Sequence, residues 1–429
     1  MTAEQKRPRI VSVLAGAGLL LLSAVVATQH LPAPSPSMTR FSKVIGWPAG
    51  KTPIAPAGFV VTAFAEGLDN PRWLYVLPNG DVLVAEAKTE NIAGDRPPEV
   101  LASLRASGSL GKSANRITLL RDADRDGKAE VRHVFLSGLN QPFGMLLLDR
   151  AFYVAATNAV LRFEYKDGLT ALPSPNHKVL DLPAGGYNNH WTRNIVSNPA
   201  GTKLYVSVGS QTNVDEEGLD AQDPRRAAIL ELNPDGSGAR VFASGLRNPN
   251  GMDWMPGANT LWTVVNERDM LGDDVPPDYL TSVREGAFYG WPYAYFGQHE
   301  DPRHKGKRPD LVAKTVVPDL PLGAHTASLG LTFSRGTLFP EAYRQGAFVA
   351  QHGSWNRSTF SGYKVLFVPF TDGRPSGVTK DFLTGFIANA QTSEVYGRPV
   401  GVTMMPDGAL LVADDAGGKV WRVSRIESR

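Results

Sequence analysis

From residue 55 onward one short phrase returns six times, and nothing else in the chain constrains its fold as tightly. The phrase is a Gly or Pro turn, an apolar stretch, a polar turn and an alternating run that suits a strand. It reads GLDNPRWLYVLPNGDVLVAEA at 67–87, GLNQPFGMLLLDRAFYVAAT at 138–157 and HWTRNIVSNPAGTKLYVSVGS at 190–210. It returns as GLRNPNGMDWMPGANTLWTVVNE at 245–267, more loosely at 328–354, and as YGRPVGVTMMPDGALLVADD at 396–415. Further hairpins, such as AAILELNPDGSGARVFASG at 227–245, lie between the copies.

A four-strand unit of this kind cannot bury both its faces alone, so repeated units pack side by side around a ring. Six copies predict an all-β, six-bladed β-propeller over residues 55–429. The strand at Phe59–Ala65 is expected to join the last blade and close the ring. A pair of β-sandwiches is the competing architecture, and six in-register copies argue against it. Insertions at about 88–114, 266–288 and 297–325 break the spacing, and long insertions on a regular scaffold gather on its functional face.

Composition narrows the function. The chain of 429 residues has no cysteine, which excludes a disulfide scaffold, thiolate zinc, iron–sulfur clusters, covalent haem and a cysteine nucleophile. Its 44 Lys and Arg nearly balance 42 Asp and Glu, which speaks against a nucleic-acid binder built on a basic face. Lys6, Arg7 and Arg9 precede an uncharged apolar run from Ile10 to Ala27. Residues 1–29 therefore read as a signal peptide or a single-span membrane anchor, and either places the rest outside the cytoplasm, in the periplasm or beyond it. Residues 30–54 read as a Pro-rich extended linker.

Aligned copies place polar residues at one recurring position before each innermost strand: Arg72, Gln141, His190 with Arg193, Arg247 with Asn248, and Arg398. In a propeller these converge on one mouth of the central channel. Arginines crowded there repel one another unless an anion or carboxylates sit among them, so the pattern points to a polyanionic small molecule. His190, in NNHWTRN, would be held neutral by that positive field and so be fit to act as a general base. His325 and His352 are weaker candidates for the same mouth. The loop NERDMLGDD at 266–274 crowds hard oxygen ligands and suggests calcium, against the alternative of a solvated acidic loop. Asp122 to Gly127 spell D-x-D-x-D-G, but the eleventh position after Asp122 is His133, so a tight hairpin turn is preferred to a calcium loop.

HWTRN, GLRNPNGM, NERDMLGDD, YGWP, HGSWNRS and GRPVGV, in this order, resemble the pyrroloquinoline-quinone (PQQ)-dependent sugar dehydrogenases, and within them the soluble aldose and L-sorbosone dehydrogenase-like branch. The resemblance implies a six-bladed propeller with the quinone on the channel mouth beside a calcium ion. It implies His190 as catalytic base on the anomeric hydroxyl and Arg247 as the group that stabilises charge on the quinone oxygen. Asn248, Arg398, Gln141 and Arg193 would contact the cofactor, and Lys364 or Arg357 would stand in for a lysine placed against the quinone. Calcium would fall near Arg268 and Asp269, through backbone carbonyls, with help from Asp273 or Asp274. Without a haem-attachment motif, electrons would leave to an external acceptor such as a quinone or a periplasmic cytochrome. The expected reaction is oxidation of an aldose or sugar aldehyde at its anomeric carbon. Two alternatives are a calcium-dependent lactonase-like hydrolase on the same fold and a non-catalytic binding propeller.

Overall fold

The computed structural model describes residues 31–90, 97–172, 177–185 and 190–426. The apolar run from Ile10 to Ala27, read as signal or anchor, lies outside the described residues. The chain is mostly β and propeller-like. Sheet I comprises Pro71–Val76, Val82–Glu86, Arg116–Arg121 and Val131–Leu136; sheet II, Pro142–Leu148, Ala151–Ala156, Ala159–Glu164 and His177–Asp181. Sheet III comprises Ile195–Ser197, Leu204–Val208, Ala228–Leu232 and Arg240–Ser244; sheet IV, Asn248–Trp254, Leu261–Asn266, Pro277–Ser282 and Leu320–Ala324. Sheet V is built on Ser328–Phe333, Gly346–Gln351, Lys364–Thr371 and Lys380–Leu383. Sheet VI joins Pro399–Met404, Leu410–Asp414 and Lys419–Arg425 to Phe59–Ala65, which pairs with Lys419–Arg425.

The strand pairs within these six sheets are antiparallel, and the first strand of each touches the first strand of the next, from I through VI and back to I. The sequence dictates this closeness. The second strands, such as VLVAE, AFYVAA and LLVAD, are buried along their whole length because a neighbouring sheet covers each face. Several first strands begin with Pro, which needs no ladder partner there, and then bulge, as at Pro71/Trp73 and Pro142/Gly144. A Cβ on Gly144 would stand 2.6 Å from the Ile195 amide nitrogen, so only glycine lets sheets II and III meet.

The core consists of wedges between sheets. Trp73, Phe143 and Phe152 fill the gap between sheets I and II. Trp262, Phe333 and Phe370 fill that between IV and V, and Phe348, Phe382 and Trp421 that between V and VI. Each such side chain contributes ~1.5–3 kcal/mol on burial, which makes the wedges the main stabilising element.

Two expectations need correction. The stretch 266–288 is only partly an insertion, because Pro277–Ser282 is the third strand of sheet IV, and the stretch 297–325 ends in that sheet's fourth strand. Residues 33–54 are extended but are bound to the sheets. The Ser35 amide donates to Leu271 O, Lys43–Val44 pairs with Glu394–Val395, and Trp47 Nε1 donates to Asp414 at 2.6 Å.

Candidate functional site

His190 stands just ahead of the first strand of sheet III and is half-buried. Its Nδ1 lies 2.9 Å from the Ser210 carbonyl oxygen and 3.0 Å from Ser210 Oγ. A carbonyl only accepts, so Nδ1 carries the proton and Nε2 keeps its lone pair. No hydrogen bond engages Nε2 among the described residues. Burial first, then the Arg247 guanidinium and more weakly that of Arg193, hold this imidazole down to about 3, against the opposing pull of Ser210 and Asp269.

Arg247 is buried and fully engaged. Its donors reach Asn213 O at 3.2 Å, Asn213 Oδ1 at 2.9 Å, Glu267 O, and Asp269 Oδ2 at 3.1 Å. It therefore acts as a fixed charge, with no free fork for a ligand. Asn213 is the hub of this corner, since its side chain also takes the Asp269 amide at 2.9 Å and donates to Asp269 O. The Asp269 carboxylate stays below its usual range: burial works against this, but Arg247 and His325 outweigh it. Asn248 Oδ1 is buried and has no partner. A Cβ on Gly209 would collide with that atom and stand 2.6 Å from His190 Cβ, so glycine there lets the base and the amide come together.

A second cluster centres on Asp415. It accepts from Arg72 at 2.5 Å, from Arg398 Nε at 3.1 Å and from His352 Nε2 at 2.9 Å. Burial opposes its ionisation, yet Arg398, His352 and Arg72 hold it far below the carboxylate range. The two arginines share this one carboxylate, so the cluster carries an excess positive charge, and Arg72 Nε is buried without a partner. His352 is held down to about 4, chiefly by burial. The surplus cation and the unpartnered Arg72 Nε–H suit an anionic oxygen, whereas Asn248 Oδ1 and the open Nε2 of His190 are acceptors that suit an O–H or N–H of a ligand.

Other expected contacts have different roles. Arg193 is fully buried, and its guanidinium is spent on the carbonyls of His190 at 2.6 Å, Thr192 at 2.9 Å and Pro183 at 2.8 Å. It clamps the turn carrying His190 and offers those donors to no ligand. Gln141 donates to Lys88 O at 2.9 Å and accepts from Thr157 at 3.4 Å. Lys364 pairs with Asp381 at 2.7 Å and Arg357 with Asp274 at 2.8 Å, and both line a cavity between sheets IV and V. Neither is bonded to the His190 or Asp415 clusters.

The carboxylates expected to bind calcium do not converge. Arg268 is buried against Asp301 at 2.6 Å; Asp269 O already accepts from Asn213 and Arg268; Asp273 accepts from Ser358; and Asp274 turns to Arg357. No side-chain cage forms at 268–274 among the described residues. The carboxylates that do gather, within 4.8 Å of one another, are Asp122, Asp124, Asp126 and Glu130, at the turn joining two strands of sheet I.

Ser210, Asn213 and Asp415 were missed by sequence reasoning that looked only at the position before each first strand. The signal was one strand further on. Every second strand ends in, or is soon followed by, a polar residue: Glu86, Thr157, Ser210, Glu267, His352 and Asp415. Four of these hold the mouth residues: Ser210 orients His190, Thr157 meets Gln141, the Glu267 carbonyl meets Arg247, and Asp415 ties Arg72 to Arg398.

Residues 300–426 match the TrAA12-like family model, and residues 150–354 match the Glucose / Sorbosone dehydrogenase model. An uncharacterized protein of Borreliella burgdorferi is 34% identical over 244 residues, covering 56% of this chain and 62% of that protein. The aldose sugar dehydrogenase YliI of Escherichia coli is 27% identical over 262 residues, covering 57% of this chain and 62% of that enzyme. The matched stretch thus spans less than two thirds of either relative. The holo form of the PQQ domain of pyranose dehydrogenase from Coprinopsis cinerea superposes with a TM-score of 0.69 at 21% identity, covering 90% of this chain and all of that domain. Through residues 150–354 the chain is similar to the glucose/sorbosone dehydrogenase family, and its ring of sheets is similar to the fold of that PQQ domain.

Proposed function

We propose that this chain is an exported quinoprotein on a six-bladed propeller that oxidises an aldose, or a related sugar aldehyde or hemiacetal, at its anomeric carbon to a lactone or acid. The observation that carries this reading is His190, with one nitrogen locked to Ser210 and the other open beside the fixed charge of Arg247. The relatives named aldose sugar dehydrogenase and pyranose dehydrogenase support the substrate class. When bound, pyrroloquinoline quinone would supply the two-electron oxidant for the hydrogen on the anomeric carbon.

The chain's own residues do the rest. His190 Nε2 takes the proton of the anomeric hydroxyl as the carbon–oxygen double bond forms. Ser210 keeps the acceptor tautomer in place. Arg247 holds the imidazole neutral and stabilises negative charge that develops next to it. Arg72, Arg398 and Asn248 would hold the cofactor's carboxylates and carbonyls. The residues at 268–274 do not make a side-chain cage, so no step is routed through calcium. A lactonase would need converging carboxylates at the mouth, where Asp269 and Asp415 are instead tied to arginines. The reading carries with it an external electron acceptor, and a place outside the cytoplasm from the basic and then apolar N-terminus.

The test is an absorbance titration of the apoprotein with pyrroloquinoline quinone, with calcium supplied, followed by a panel of aldoses. Saturable uptake and sugar-dependent bleaching are expected. No uptake would overturn the quinoprotein reading, and uptake without bleaching by any aldose would overturn the substrate class.

A further inference from the structure

The cavity between sheets IV and V, of about 400 Å³, is a site in its own right. That volume falls in the ~300–1,000 Å³ range of small-molecule pockets. Its lining includes the apolar Leu322, Phe360 and Leu366 and the polar Gln351, Arg357, Lys364 and Asp381. Gln351 is 1% exposed, and although its Nε2 is used on Leu322 O at 3.0 Å, its Oε1 has no partner. Arg357 Nε is likewise buried and unpartnered. A buried polar atom left without a partner costs ~1–3 kcal/mol, and here two residues of the lining carry one acceptor and one donor that no protein group satisfies.

Charge decides the kind of ligand. Lys364 pairs with Asp381 in the lining and Arg357 with Asp274 beside it, so each cation at the site is already matched by a carboxylate. An anion would have to displace a carboxylate, and a cation an ammonium or guanidinium. A neutral molecule that carries both hydroxyls and C–H groups satisfies the open acceptor, the open donor and the apolar side chains at once. We propose that this cavity binds a neutral saccharide or polyol, at a site separate from the His190 and Asp415 clusters. This site does not depend on the quinoprotein reading.

The experiment uses the full protein without cofactor and titrates it with trehalose, sucrose or sorbitol, which have no anomeric hydroxyl to oxidise. Binding is read by calorimetry or by amide chemical shifts. Saturable binding is expected in wild type and in His190→Ala alike, weakened at least ~10-fold in Phe360→Ala and in Asp381→Asn, both on the accessible side of the cavity. Gln351→Leu, if it folds, should abolish it. Binding that disappears in His190→Ala but survives Asp381→Asn would place the ligand in the channel mouth and overturn the proposal. So would the absence of saturation by any of the three probes, or a structure of the soaked protein with only water on Gln351 Oε1. Tighter binding of inorganic phosphate than of any polyol would overturn the ligand class.

Discussion

His190 is fit to be a base because of what its other nitrogen does. With Nδ1 donating to Ser210 O at 2.9 Å, the lone pair is confined to Nε2, and burial, with the nearby Arg247 second, keeps a proton off it down to about pH 3. An ordinary imidazole would lose its base form below about pH 6.5. The rate should therefore stay level from pH 7 into the acid range, with any limb near 6.5 absent from the kcat/KM profile. Replacing Arg247 by Gln removes a cation, so the imidazole rises toward its usual value and the acid limb moves up in pH. His190→Ala should lower turnover by about 10²–10⁴-fold while leaving quinone uptake measurable. The same depression has a stability consequence. Neutral His190 is favoured in the fold, so its contribution is complete above the unfolded value near 6.5 and is lost as pH falls toward about 3. The melting temperature of His190→Gln should accordingly fall less between pH 7 and pH 4 than that of wild type.

At the scale of the element, the mouth is only as well ordered as the first strands that deliver it. Gly144 allows sheet II to lie against the Arg193 carbonyl and the Asn194 and Ile195 backbone, in the same turn that carries His190. A methyl group there meets backbone that cannot rotate away. Gly144→Ala is expected to cost ~1–3 kcal/mol, read as a lower denaturant midpoint, and to lower kcat through the displaced turn. An unchanged midpoint would show that the two sheets can part without cost. These strands were also the most legible part of the sequence, because continuous apolar runs such as VLVAE and LLVAD followed by turn residues leave little choice of structure. The arginines were legible as a set, but their partners were not. Asp415 meets Arg72 across 343 positions of chain, and nothing local marks that contact. Arg193 was read as a ligand because it sits beside His190 in sequence, yet three carbonyls take it into the interior. Lys364 was misplaced for a related reason. Tyr363, just before the strand, is the residue near enough to feel Asp415, while Lys364 at the strand's start pairs with Asp381.

At the scale of the whole molecule, the decisive contact is the one that joins the two ends of the chain. Phe59–Ala65 pairs with Lys419–Arg425, so sheet VI is made from residues more than 350 positions apart and lacks its outer strand until that pairing forms. Phe59 also brings its ring against Phe339, Tyr343 and Phe382 of the neighbouring wedge, with centroids 4.9–5.4 Å apart. Removing that strand would strip a wedge of its aromatic cover and leave Lys419–Arg425 as an unpaired edge, which is a template for aggregation. The segment before it is held differently. It attaches through scattered contacts such as Arg40 to the Trp355 carbonyl at 2.7 Å and Lys43–Val44 to Glu394–Val395, and it completes no sheet of the ring. Two truncations therefore separate the roles. A chain that starts at Thr52 should fold, with a lower melting temperature and a single cooperative transition. One that starts at Glu66 should lose that transition by calorimetry and aggregate, because sheet VI is left without its outer strand and Lys419–Arg425 becomes an unpaired edge. Equal stability of the two would mean that the six sheets hold one another without this outer strand, and that the strand from the N-terminal side is only a cover.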